Sequence, residues 1–146
     1  MALRLTILAV LLALTTLLQS CASGSSSSSK VSWSDSEMTF EISASGKLKK
    51  DVVDAVDVWG AKTFGSWQKV IQAKLQDRGI IVFRYRESMC DKMVSVEIKP
   101  KNNEIYLVDF LNVRGGECYV RKKYVEVLKT NFKNMAINIE LAIAEF

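Results

Sequence analysis

Between residues 38 and 43, Met38, Phe40 and Ile42 alternate with Thr39, Glu41 and Ser43. A period of two places the three apolar side chains on one side, so the spacing predicts a strand with one buried face. Ala44-Ser45-Gly46 breaks the alternation, and Ser45 is placed to cap the element that follows. Leu48, Val52, Ala55, Val56, Trp59 and Thr63 then recur mostly at spacings of three and four, which predicts an amphipathic helix over residues 47 to 64, ending near Gly65. Beyond Ser66-Trp67 the period shortens again. Val70 to Leu75 and Ile80 to Arg86 flank Gln76-Asp77-Arg78-Gly79, a polar stretch ending in glycine that suits a hairpin loop. Met93 to Lys99 and Ile105 to Val113 form a second predicted hairpin around Pro100-Lys101-Asn102-Asn103. From Cys118 onward, Tyr124, Leu128, Phe132, Met135, Ile139, Ile143 and Phe146 mark the apolar stripe of a long terminal helix.

The order is strand, helix, four strands, helix. Two striped helices beside a mostly antiparallel sheet bury their apolar faces most simply by packing together on one side of it. The expectation is therefore a two-layer α+β domain over residues 36–146. The same order admits a helix-grip sheet, or one whose first strand pairs poorly.

Composition changes the picture mainly at the start of the chain. The 146 residues are 49% hydrophobic and 25% charged, within the range of a single globular domain, but part of the apolar share belongs to residues 1–20. There Arg4 precedes the uncharged run Leu5 to Leu18, which as a helix would reach about 21 Å against a hydrocarbon core of roughly 30 Å. A segment of that length is expected to be a secretion signal rather than a permanent span. The formal charge of +4, one less without Arg4, is too weak and too evenly spread to argue for nucleic acid.

Leu18-Gln19-Ser20-Cys21 resembles the lipobox of bacterial lipoproteins, although Gln19 is a less usual occupant of its position. The resemblance implies cleavage before Cys21, a diacylglycerol on its thiol and an acylated new amino terminus. Such an anchor holds far more strongly than a single acyl chain. Ala22, where an Asp would retain the protein at the inner membrane of enteric bacteria, implies sorting to the outer membrane of the cell envelope. The alternative is an ordinary signal peptide with an incidental cysteine. Residues 21–35, with their run of serines, have the composition of a flexible tether.

With Cys21 lipidated, Cys90 and Cys118 remain, an even number in a compartment that tolerates disulfides. A bridge would close a loop of about 28 residues and contribute on the order of 3 kcal/mol through loop-closure entropy. The alternative is two free thiols. Zinc is not expected, because two cysteines without histidine supply too few ligands.

Residues 54 to 84, DAVDVWGAKTFGSWQKVIQAKLQDRGIIVFR, are similar to the DUF4468 domain, a domain of unknown function found in envelope proteins of Bacteroidetes. The matching features are the W-x-x-K-T-F segment at the helix end, then V-I-Q, then a glycine-containing hairpin leading into an aliphatic strand. The resemblance implies a TBP-like fold with the order β-α-β-β-β-β-α. It brings no active site.

The chain contains no histidine, which excludes Ser-His-Asp hydrolysis, histidine acid/base catalysis and histidine metal sites. No phosphate-binding glycine motif occurs, and Gly115-Gly116 reads as a turn. No cofactor is expected. Asp51, Asp54 and Asp57 are interleaved with core positions of the first helix and read as surface groups rather than a catalytic pair. Arg84, Tyr85 and Arg86, beside Arg114, Arg121, Lys122 and Lys123, compose a candidate basic and aromatic patch for an acidic glycan, lipid head groups or a protein. The plainer reading is outward side chains of a strand and a solvated first helical turn. Trp33 covers a core edge or marks a contact.

Two functions of different class follow. The first is a non-enzymatic, membrane-tethered lipoprotein whose sheet or strand edge binds a protein or envelope polymer. The alternative is a histidine-independent envelope enzyme using carboxylates, lysine or tyrosine. A flat open sheet favours the first, and a pocket enclosing several ionisable groups favours the second.

Overall fold

The structure of the protein is a computed structural model that describes residues 30–32, 38–89, 92–112, 119–121 and 124–146. In chain order the elements are β1 (Lys30–Ser32), β2 (Thr39–Ser43), α1 (Lys49–Thr63), α2 (Trp67–Val70), β3 (Ile71–Leu75), β4 (Ile80–Glu87), β5 (Lys92–Pro100), β6 (Ile105–Asn112), β7 (Tyr119–Arg121) and α3 (Val125–Glu145).

Five strands form one antiparallel sheet in the order β2-β6-β5-β4-β3. β2 and β3 follow one another in sequence yet occupy opposite edges, so α1 and α2 carry the chain across the sheet. β2, the first strand predicted from the alternation, pairs fully: Thr39 to Ser43 run against Asp109 to Ile105. Alternation then sorts the side chains. Phe83, Val96, Val108 and Phe110 face the helical layer and are buried, as are Val52 and Val56 of α1 and Leu128, Phe132, Ile139 and Ile143 of α3. Both helices thus lie on one face of a two-layer α+β domain, and the layers meet where Phe110 stacks on Phe132 at 4.2 Å between ring centroids.

Several boundaries differ from the sequence expectation, each for a local reason. Ser45 does not cap α1. The Lys47 N–H bonds the Ala44 carbonyl at 3.1 Å, closing a turn around Ser45, and the helix begins only after Leu48, which has extended backbone. Leu48 is consequently 71% exposed and leaves the stripe, while Val53 joins the core. Val70 belongs to the single turn α2 rather than to β3. Pro100 ends β5 opposite Tyr106, where a missing N–H is harmless, and the turn moves to residues 101–104. Asn102 holds that turn, its side-chain oxygen accepting the N–H groups of Glu104 and Ile105, each at 2.8 Å. In the β3–β4 turn Gly79 has φ +71°, the left-handed region that a side chain disfavours.

No local pattern announces the second, two-stranded sheet: β1 pairs with β7, Lys30 opposite Arg121. Ordered pairing therefore reaches back to Lys30, inside the segment whose composition reads as tether. Likewise α3 starts at Val125, so residues 119–121 are strand and not its first turn.

Candidate functional site

The face of the sheet opposite the helices carries the other half of each alternation, and among the described residues no helix packs on it. Register places its side chains in rows across the strands. Thr39, Asp109, Glu97 and Val82 form one row; Glu41, Leu107 and Lys99 the next; Leu111, Ser95 and Arg84 another; Met93 and Arg86 the last. The face thus has a charged middle, aliphatic ground around it and two exposed arginines toward one end.

The charged middle is an ion-pair network. Lys99 Nζ sits 2.6 Å from Asp109 Oδ2 and 3.0 Å from Glu97 Oε2, and Lys101 pairs with Glu41 at the β2 edge. Its bond to Asp109 raises the Lys99 ammonium above the usual lysine range, against the opposing effect of burial and with help from Glu97. Asp109 is only 7% exposed, so the lysine serves chiefly to neutralise a carboxylate that its neighbours partly dehydrate. Glu97 and Lys99, two apart in a strand, share one face by period alone. Bringing Asp109 to them across the ladder takes the register.

The structure breaks up the basic and aromatic patch. Arg84 and Arg86 share the open face, but Tyr85 lies between them in a strand and therefore points the other way, into the core. Arg121 lies in β7, and of its side chain nothing is described; Arg114, Lys122 and Lys123 lie outside the described residues, as do Cys21, Cys90, Cys118 and Trp33. Tyr85 has a different partner. Its hydroxyl donates to Glu87 Oε2 at 3.0 Å, and the Met89 N–H donates to Glu87 Oε1 at 3.2 Å, satisfying a carboxylate that is 6% exposed. Burial pushes the phenol well above its ordinary range, and the Glu87 charge adds to this. Tyr85→Phe is expected to lower the unfolding free energy by about 1–3 kcal/mol, because the acceptor stays buried without its donor. Urea unfolding measures it, and an unchanged midpoint would contradict the pairing.

Two of the three aspartates of α1 form a structural clamp. Asp54 and Asp57, three apart and so on one side of the helix, hold Lys74 of β3 at 3.1 and 2.7 Å. Gln76 Nε2 donates to Asp54 at 2.6 Å, and the Trp67 indole N–H donates to Asp57. Burial alone would raise the Asp54 carboxyl, but the bonds from Lys74 and Gln76 and the lysine charge outweigh it and hold the group below the usual range. A depressed carboxyl contributes stability above the unfolded value of about 3.9, and that contribution disappears as pH falls through the folded value. The Lys74 ammonium is raised, first by its bond to Asp57, so its contribution is lost only as pH climbs through its folded value. The urea midpoint is therefore expected to fall between pH 6 and pH 3, and less steeply in Lys74→Met. The groups are partly solvated, so the difference is at most about 1 kcal/mol. Equal slopes would contradict the clamp.

Two clefts lie on the helical side, away from the open face. One of about 620 Å³ near the end of α1 is lined by Asp57, Lys69 and Trp67 among others. The second, about 470 Å³, runs between α1 and α3 and includes Lys62 and Glu145. Among the described residues, no three acidic, cysteine or histidine side chains are grouped to hold a metal ion, and no helix is long and apolar enough to cross a membrane.

No family model matches the chain, and no curated protein matches it. Among solved structures, a TBP-like protein from Parabacteroides distasonis is similar to it with a TM-score of 0.47 and 9% identity, over 73% of this chain and 90% of that one.

Proposed function

We propose that the protein is a non-enzymatic lipoprotein of the bacterial cell envelope, held to the outer membrane through Cys21, whose open sheet face binds a protein or an envelope polymer. The observation that carries the binding reading is this face itself. It offers Val82, Leu107 and Leu111 as aliphatic contact surface, Arg84 and Arg86 as exposed cations, and a neutralised charge network between them. Neither cleft gathers more than two ionisable side chains, and those of the first belong partly to the α1 clamp, which favours binding over catalysis. A DUF4468-like domain is part of the same reading. Its W-x-x-K-T-F segment coincides with the corner where Trp59, Phe64 and Trp67 gather around Phe83, with ring centroids 5.1 to 6.1 Å from it.

The anchor is tested by labelled palmitate fed to cells expressing the full chain. Label is expected in wild type and absent in Cys21→Ala; an unlabelled wild type would remove the lipid from the reading and leave the binding face standing. Loss of binding to a captured partner in Arg84→Glu, with unfolding midpoint unchanged, is the matching result for the face. Undiminished binding there would argue against the arginine end.

A further inference from the structure

We propose that the turn before α1 is a second membrane contact, in which Leu48 enters the interface of an anionic bilayer between flanking lysines. This contact presupposes the lipid anchor at Cys21. Leu48 continues the buried stripe in sequence yet is 71% exposed, more than any other large apolar side chain among the described residues. Its neighbours in the chain are Lys47, Lys49 and Lys50, and residues 44–50 contain no acid. Lys49 and Lys50 stand in the first turn of α1, where the helix dipole favours acids over bases. Among the described residues neither takes part in a salt bridge, and Lys50 acts on Asp54 only through its field. The fold gains little from these three side chains at this place.

The tip is nevertheless held in shape. The Ala44 N–H donates to the Glu104 carbonyl at 2.7 Å, Lys47 Nζ donates to the Ala144 carbonyl at 3.3 Å, and Gly46 takes φ +74°. No ordering cost is therefore added on contact. A leucine between ammonium groups matches a bilayer surface, where phosphates meet the lysines while the lysine stems and the leucine reach the acyl boundary.

The length of the tether selects the bilayer as the occupant. From Cys21 to Lys30 the chain extends to about 30 Å at most, so the domain stays beside the membrane at an effective concentration on the order of millimolar. A contact too weak to act alone is then sufficient. β1 pairs with β7, which precedes α3 by three residues, whereas Lys47 is tied to the far end of α3 at Ala144. Tether and tip thus lie toward opposite ends of one helix about 30 Å long. Attachment at both ends lays α3 along the bilayer and turns the helical layer toward it. The open sheet face then points away from the membrane, where a partner can reach it.

The test reconstitutes the full lipidated chain, purified from membranes, into vesicles of phosphatidylethanolamine and phosphatidylglycerol holding a phospholipid with a diazirine near the glycerol end of one acyl chain. After irradiation, peptide mapping by mass spectrometry is expected to find label within residues 44–50 and none in β6. Lys49→Glu and Lys50→Glu together, or vesicles of phosphatidylcholine alone, are expected to lower that label about tenfold. Glutamate suits the start of α1, so the loss does not come from unfolding. Leu48→Ser, with its urea midpoint unchanged, is expected to lower the label as well. Protein that floats with the vesicles but carries no label in residues 44–50, or label that survives the charge reversal undiminished, would overturn the tip contact alone. A chain that does not float with the vesicles would overturn the anchor and the tip contact together.

Discussion

Phe132→Ala is expected to lower the unfolding free energy by about 3–5 kcal/mol, at the top of the range for a single core truncation. The ring is fully buried on α3 and lies almost parallel to Phe110 of β6, with 9° between the ring planes. It is the point at which the terminal helix is keyed to the centre of the sheet. Removing it deletes a large apolar surface and leaves a cavity walled by a strand that cannot follow inward, because β6 is held on one side by β5 and on the other by β2. In urea, with a slope of about 1–3 kcal/mol per molar for a small domain, the midpoint is expected to move by at least about 1 M at unchanged slope. Ile137→Ala, on the outward side of the same helix, is expected to change stability by about 0.5 kcal/mol or less in the monomer. Equal effects at the two positions would contradict the assignment of faces on α3.

Gly60→Ala reverses the usual expectation for an exposed helix, where alanine gains about 1 kcal/mol over glycine. At Gly60 a methyl group would stand 2.6 Å from Trp67 Cη2 and Cζ3 and 2.7 Å from Cε3. The indole has little room to retreat. It stacks on Phe64 at 5.9 Å, rests against Phe83 at 5.1 Å and is tied by its N–H to Asp57. Overpacking of this kind costs about 1–3 kcal/mol, so the variant is expected to be less stable than wild type by up to about 2 kcal/mol after the propensity gain is subtracted. The three contacted atoms belong to the six-membered ring of the indole, which phenylalanine at 67 would not reproduce. In a Trp67→Phe background the same substitution is therefore expected to lose its penalty, and a double-mutant cycle reads the difference. A stabilising Gly60→Ala in the wild-type background would show that the helix and the Trp67 corner are not in contact.

These two positions differ in how plainly the sequence declares them. The stripe containing Phe132 is evident from spacing alone, because a buried helix face must repeat at three and four. The central strands are equally legible through alternation, and with them the two-layer architecture. Gly60 is not, since the reason for a glycine inside a helix is a ring seven residues later that folds back across it. The ends of patterns mislead for a related reason: Leu48 and Phe146 continue a stripe in sequence but extend past the sheet that would bury them. On the candidate face, period two brings Arg84 and Arg86 together and, applied strictly, removes Tyr85. Joining Asp109 to Lys99, or Lys74 to the two aspartates of α1, requires strand order and register, which no local pattern carries. The pairing of β1 with β7 depends on three-residue segments far apart in the chain, too short to show a period.

The open sheet face is the surface proposed to meet the partner. The most direct measurement places a photoreactive side chain at Leu107, in the middle of that face, and in a parallel chain at Asp77, on the exposed turn between β3 and β4. Both are irradiated in intact cells. The expected result is one reproducible adduct from position 107, to a protein or polymer other than this chain, that is absent from position 77 and diminished by Arg84→Glu. Adducts of equal yield and identity from both positions, or none from 107 while the domain remains folded, would contradict it.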